Sequence, residues 1–239
     1  GIWLHGICRA VPFYKTGNRK VRSTRQALWF AASLIPALLR MKKFDVIDCM
    51  STPYFPLYVS KTATLLKRTP MVSTWLEIWR GDAWKQYLGP IRGTIAGAIE
   101  RFATRLPEHI IAISDHTREG LEEVGVLSQR ISVIPPGIHW EEIQKIEPGP
   151  RESDLIYAGR LIPEKRVDLL LEAVAHLHRD FPDLRCLVIG DGPERASLES
   201  QAERLGIVRN VDFVGFYPPH EVYKAMKAGK VFVLPSQRE

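Results

Sequence analysis

Short apolar runs alternate along this chain with longer segments whose apolar residues recur every three or four positions. Runs such as "HIIAIS" and "ISVIP" lack polar alternation, as strands buried on both faces do, while the intervening segments carry the periodicity of amphipathic helices. The pattern predicts a helix over 24–41, a strand over 44–49, a helix over 54–67, a strand over 70–75, one long helix over 84–105, a strand over 109–114, a helix over 116–124 and a strand over 131–135. Residues 145–154, "KIEPGPRESD", concentrate Pro, Gly and charge without periodicity, which predicts a linker. The alternation then restarts, with strands over 154–158, 184–189, 211–214 and 231–234 and helices over 164–179, 193–205 and 219–228. The class is therefore α/β, with two Rossmann-like domains of parallel strands and right-handed crossovers, 1–148 and 149–239.

Composition narrows this picture. Of 239 residues, 45% are hydrophobic and 25% charged, which is globular. The longest nearly unbroken apolar run, "ALWFAASLIPAL", is interrupted by Pro36 and falls short of the roughly 20 residues that cross a bilayer. Cys8, Cys49 and Cys186 are far apart and form no C-x-x-C pair, so a reducing cytoplasmic setting is expected. His176 and His178, two apart on a helix, diverge, and no metal site is expected.

Charge is uneven. Residues 1–44 hold nine of the 33 Lys and Arg (Arg9, Lys15, Arg19, Lys20, Arg22, Arg25, Arg40, Lys42, Lys43) and no Asp or Glu, so 24 basic residues face 27 acidic ones elsewhere. Beside Trp29 and Phe30, the block over residues 9–43 suits an anionic membrane surface or a lipid acceptor, each cation contributing about 1 kcal/mol at most. A peripheral position on the inner face of the membrane follows from that reading, and a solvated basic face from the alternative. No nucleic-acid partner is expected.

The stretch "DLIYAGRLIPEKRVDLLLEA", residues 154–173, places Arg160, Lys165 and Arg166 around a helix start. A helix N-terminus carries about half a positive charge, so cations there cost a few tenths of a kcal/mol unless an anion arrives. "DLIYAG" reads as the strand, Gly159 as a point of close backbone approach, Pro163 as a first-turn residue, and Val167, Leu170, Leu171, Val174 and Leu177 as the buried stripe. Arg160 on the loop and Lys165 in the first turn then converge on one anion. A diphosphate can use both the planar fork of Arg and the point charge of Lys. Spacing equally admits a Lys165–Asp168 ion pair beside a solvated Arg160.

"YAGRLIPEKRVDLLLEA", "LVIGDGPER", "VDFVGF" and "VFVLPSQRE", preceded by "IIAISDHTREGL" and "ISVIPPGI", resemble in order and approximate spacing the retaining glycosyltransferases of family 4, which have the two-domain GT-B fold. The archaeal and bacterial members are the most similar. The resemblance implies that Arg160 and Lys165 bind the diphosphate of a nucleoside-diphosphate sugar donor, and that Glu239 is the first acidic residue of the family's Glu-to-Glu motif, contacting the transferred sugar. Gly215, Phe216 and Tyr217 fall where members hold the nucleobase, largely through main chain, and "GDGP" (190–193) reads as a tight strand-to-helix turn.

Three departures accompany the resemblance. After "MVSTW" the family usually places a His on the donor sugar, whereas this chain has Leu76 and then Glu77, a partial substitute or a helix-start carboxylate. The family's N-terminal strand and Gly-rich acceptor loop have no counterpart before Gly1, and its second Glu would lie after Glu239. Each domain is thus expected to be incomplete, and the chain a fragment with little or no transferase activity alone.

No D-x-D, G-x-S-x-G or Gly-rich dinucleotide fingerprint occurs. The expected function is a retaining, metal-independent, hexosyl-type glycosyltransferase with no cofactor, whose acceptor the residues do not specify. The alternatives are a non-catalytic nucleotide-sugar or anion-binding protein, or another GT-B enzyme such as a nucleotide-sugar epimerase.

Overall fold

The apolar runs become parallel strands of two separate four-stranded sheets. The computed structural model describes residues 24–149 and 153–237. They divide between a unit spanning Gly1–Gly137 and one spanning Ile138–Glu239.

The first unit runs α1 (Thr24–Arg40), β1 (Ile47–Met50), α2 (Phe55–Lys67), β2 (Met71–Trp75), α3 (Arg80–Leu88), α4 (Pro90–Ala103), β3 (His109–Ala112), α5 (Asp115–Glu123) and β4 (Ile131–Val133). Its strands lie in sequence order, all parallel, with Ile47 opposite Met71, Val72 opposite His109 and Ile110 opposite Ile131. Leu57, Met71, Trp75, Ala103, Ile110 and Leu121 form the core. At the end of β3 the chain enters α5 through Ser114, whose hydroxyl accepts the Thr117 N–H at 3.2 Å and so satisfies one free donor of the first turn.

The single helix expected over 84–105 is two helices. Gly89 takes φ +83, and Pro90 occupies the first position of α4, where its missing N–H costs nothing and its fixed φ suits a new helix. Small residues let the two helices touch. A Cβ on Gly93 would sit 2.6 Å from the Trp84 carbonyl carbon, and one on Gly97 3.4 Å from Gly81 Cα. Apolar periodicity runs through this turn unbroken, so Gly-Pro is the signal that outweighs it.

The second unit runs α6 (Trp140–Gln144), β5 (Leu155–Ala158), α7 (Val167–Leu177), β6 (Cys186–Ile189), α8 (Arg195–Arg204), β7 (Val211–Gly215), α9 (Pro219–Ala228) and β8 (Val231–Phe232). The strand order is β7-β6-β5-β8, all parallel. The chain therefore winds outward from β5 through β6 to β7, and α9 carries it back to the other side of β5. That reversal makes a topological switch point between β5 and β8, where open parallel sheets leave a crevice beyond the strand ends. Of the predicted stripe, Val167, Leu170, Leu171 and Val174 are buried, joined by Tyr157, Leu161, Val188, Leu198 and Ile207, while Leu177 in the last turn is half-buried.

The helix start differs from expectation. Pro163–Lys165 form a separate 3-10 turn, Arg166 is left-handed at φ +49, and α7 begins only at Val167. Lys165 is thus not in the first α-helical turn. Asp168 clasps the guanidinium of Arg166 at 2.8 and 3.0 Å, which offsets the roughly 1–2 kcal/mol that a left-handed L-residue costs. Arg166 therefore takes the carboxylate that spacing offered to Lys165.

Candidate functional site

Three strand ends are stitched together at the carboxyl edge of the second sheet. Gly159 N donates to Ile189 O at 2.9 Å, Gly190 N to Gly215 O at 2.7 Å, and Leu161 N to Asp191 O at 3.0 Å. The loops after β5, β6 and β7 thereby become one backbone-bonded rim. Glycines allow it. A Cβ on Gly190, at φ +135, would lie 2.9 Å from the Gly159 carbonyl carbon and closer still to its oxygen. One on Gly192 would lie 2.7 Å from the Leu161 carbonyl carbon. "GDGP" is a turn, as expected, and also the seam that holds the neighbouring loop.

Arg160 stands on this rim, exposed, its guanidinium without a partner among the described residues. Below it, Tyr157, fully buried in β5, donates its hydroxyl to Arg160 O at 2.9 Å. Gly159 leaves room for that phenol, since a Cβ there would be 2.7 Å from the hydroxyl oxygen and 3.1 Å from Cζ. Lys165 is half-buried on the 3-10 turn. The chain beyond β8 returns to the same place, where Gln237 N donates to Glu164 O at 2.9 Å. Glu239 lies outside the described residues.

Hydrogen bonds from Arg166 hold the Asp168 carboxyl below its ordinary range. This helix start is therefore already supplied with an anion, and among the described residues Arg160 of the rim, rather than a group on α7, is a cation without a partner.

Gly215, the last residue of β7, turns at φ +76 and is followed by strongly exposed Phe216 and half-buried Tyr217. Arg195, at the first position of α8, holds this end of β7 by donating to Phe213 O at 3.0 Å, while Glu199 accepts from its Nε at 2.9 Å. The loop's own Gly215 carbonyl is spent on Gly190, which leaves Phe216 and Tyr217 to offer main-chain groups.

In the first unit, Leu76 is exposed after β2 and its carbonyl accepts from the Thr117 hydroxyl at 3.2 Å. Glu77 follows, half-buried. Besides Asp82 in its first turn, the start of α3 has the carboxylate of Glu100 from α4. Nearly fully buried, Glu100 accepts from Trp79 N at 2.8 Å, Arg80 N at 2.9 Å and the Tyr54 hydroxyl at 2.5 Å. Beside it Trp79 stacks on Trp84 with centroids 4.6 Å apart, and Tyr87 meets Trp79 edge-on. The sequence reading missed this buried acid; a Glu seven positions after Gly93 and three before Ala103, on one helical face, is the signal that could have found it.

Of the basic block, Arg25, Arg40, Lys42 and Lys43 are described and exposed, while Arg9, Lys15, Arg19, Lys20 and Arg22 lie outside the described residues. Leu28, Trp29, Ile35 and Leu39 of α1 and Leu65 and Leu66 of α2 are exposed nearby. Among the described residues, no helix is long and apolar enough to cross a membrane, and no three His, Cys, Asp or Glu are grouped to hold a metal ion. Burial pushes the Cys186 thiol up to about 12 and also raises that of Cys49, so neither supplies a thiolate at neutral pH.

Residues 7–142 match the family model described as Glycosyltransferase Family 4, and residues 139–239 that of Glycosyl transferases group 1. The 2-deoxystreptamine glucosyltransferase of Streptomyces kanamyceticus is 29% identical over 162 residues, covering 62% of this chain and 42% of that protein. The D-inositol 3-phosphate glycosyltransferase of Segniliparus rotundus is 32% identical over 127 residues, covering 46% of this chain and 28% of the other. Among solved structures, Anabaena HepE in complex with UDP aligns with a TM-score of 0.69 at 20% identity, covering 88% of this chain and 57% of its own. Sucrose-phosphate synthase from Thermosynechococcus elongatus gives 0.69 at 17% identity, covering 93% and 58%. The chain thus spans under half the length of these two curated relatives and somewhat over half of these two solved neighbours. The structural likeness establishes the GT-B fold, and because the family 4 match extends over more than half of the sequence, the chain belongs to glycosyltransferase family 4.

Proposed function

We propose that the second unit carries the donor half-site of an enzyme that transfers a hexosyl group from a nucleoside-diphosphate sugar, with retention and without metal. The observation that carries this reading is the switch point between β5 and β8, where the Arg160 rim and the chain beyond β8 meet at the Pro163–Lys165 turn. The crystal structures of HepE with UDP and with UDP-glucose support a nucleotide-sugar donor. In this reading residues 1–148 form the acceptor side and residues 149–239 the donor side.

As the anomeric C–O bond breaks, negative charge builds on the leaving diphosphate. Arg160 and Lys165, fixed before the reaction, stabilise that charge directly. Preorganised electrostatics of this kind commonly contribute several kcal/mol to the barrier. Phe216 and Tyr217 present main-chain groups to the base beyond Gly215, and Glu239 is the carboxylate assigned to the transferred sugar. Gly159, expected to let the ligand approach the backbone, serves the rim from below instead, its missing side chain making room for the Tyr157 hydroxyl.

Titration with UDP tests the assignment. Arg160→Ala and Lys165→Ala are each expected to weaken binding by about 1.5–3 kcal/mol, roughly 10- to 150-fold, as for hydrogen bonds to charged groups. Unchanged affinity in both variants overturns it. Turnover of UDP-glucose separates the enzyme classes: transfer or hydrolysis marks a transferase and an altered sugar an epimerase.

A second reading concerns α1 and α2, where exposed Trp29, Leu28, Leu39, Leu65 and Leu66 lie among Arg25, Arg40, Lys42 and Lys43. This combination suits peripheral association with an anionic membrane, on the cytoplasmic face, where a lipid acceptor would be met. Co-sedimentation is expected to rise with the phosphatidylglycerol content of vesicles. It should fall when those four cations become Gln, by about 1 kcal/mol at most for each. Binding indifferent to anionic lipid rejects it.

A further inference from the structure

We propose that Tyr157 is a positioning residue that presets the Arg160 loop for a nucleoside diphosphate; the inference rests on the donor-site reading above. Tyr157 is the third residue of β5 and fully buried, its ring inside the core formed with Leu161, Val188 and Leu198. A buried phenol needs a partner for its hydroxyl. Here a partner is the Arg160 carbonyl, three residues on, at 2.9 Å.

The geometry makes this contact a brace. The backbone of residues 158–160 wraps over the tip of the ring, and the absence of a side chain on Gly159 leaves the space the hydroxyl fills. The Arg160 peptide is then fixed from below by Tyr157 and flanked by the bonds from Gly159 N to Ile189 O and from Leu161 N to Asp191 O. The exposed guanidinium gains its starting direction from that backbone. A loop already ordered before the ligand arrives avoids the ordering cost on binding.

Tyr157→Phe isolates the effect. The ring stays in the core, and the Arg160 carbonyl keeps the Ile162 N–H at 3.1 Å. Hydrogen exchange of the 159–162 amides, without ligand, is expected to quicken about fivefold or more while α7 is unchanged, the size of one lost hydrogen bond of about 1 kcal/mol. UDP is expected to bind about five- to tenfold more weakly. In the Arg160→Ala background the same substitution should change UDP affinity less than about twofold, because the group it positions is gone.

Unchanged exchange at 159–162 overturns the brace whatever UDP does. Equal losses of UDP affinity in both backgrounds overturn the claim that Tyr157 acts through Arg160. If Arg160→Ala and Lys165→Ala both leave UDP binding unchanged, the donor-site reading falls and with it the ligand assigned to the brace. The exchange result then decides the brace by itself.

Discussion

Gly190→Ala is expected to unfold or badly distort the second unit and abolish UDP binding. Gly190 sits at φ +135, a backbone conformation that side chains do not tolerate, and its N–H holds Gly215 O at 2.7 Å. The added Cβ would lie inside van der Waals contact of the Gly159 carbonyl, which belongs to the backbone of the adjacent loop and cannot swing aside. Backbone strain of about 1–3 kcal/mol and overpacking of about 1–3 kcal/mol act together. Gly206→Ala separates the two. Gly206 has φ +72 but nothing within 4 Å of its would-be Cβ. It should lose only the strain, about 1–2 kcal/mol for a left-handed residue. Thermal melts of both variants decide it: if Gly190→Ala melts no lower than Gly206→Ala, the close packing of the strand ends is wrong.

Glu100→Ala is expected to destabilise the first unit by about 3–5 kcal/mol. One carboxylate satisfies the backbone donors of Trp79 and Arg80 and the Tyr54 hydroxyl, linking α2, the start of α3 and α4. Removing it leaves three donors without their acceptor, each at a cost of about 1–3 kcal/mol where water cannot enter. Glu100→Gln keeps the shape but turns an NH₂ toward one donor, so it should fall between Glu100→Ala and Tyr54→Phe, which loses a single bond. Denaturant melts give the order. Tryptophan fluorescence should shift in Glu100→Ala as the Trp79–Trp84 stack loosens. A loss under about 1 kcal/mol for Glu100→Ala rejects the linking role.

The α/β class was readable because short apolar runs alternate with amphipathic segments, and that signal is local; burial on both faces did not follow, since β3 alternates buried Ile110 and Ala112 with half-buried His109 and Ile111. The stripe of α7 was readable for the same reason: Val167, Leu170, Leu171 and Val174 repeat with the helical period and are buried. The break at Gly89-Pro90 was readable only by ranking turn chemistry above periodicity. Most of the rim was less legible. "YAG" and "GDG" carry no mark saying that Gly159 and Gly190 press against each other, because that contact spans 31 residues and exists only once β5 and β6 pair. Glu100 was not singled out from the sequence, and its partners, Tyr54 and the adjacent pair Trp79 and Arg80, come from two other segments.

Tertiary structure also redistributed the charges. Sequence placed Arg160, Lys165, Arg166 and Asp168 within nine positions and left open which cation the carboxylate would take. The left-handed turn at Arg166 gave Asp168 to Arg166, put Lys165 on a turn before the helix and left Arg160 exposed above Tyr157. The sequence by itself determined the alternation of strand and helix, the family and the residue types that crowd the strand ends, since these follow from short-range pattern. Which of those residues touch was decided by the order β7-β6-β5-β8, because parallel pairing joins positions far apart in the chain and backbone bonds across strand ends obey no local rule.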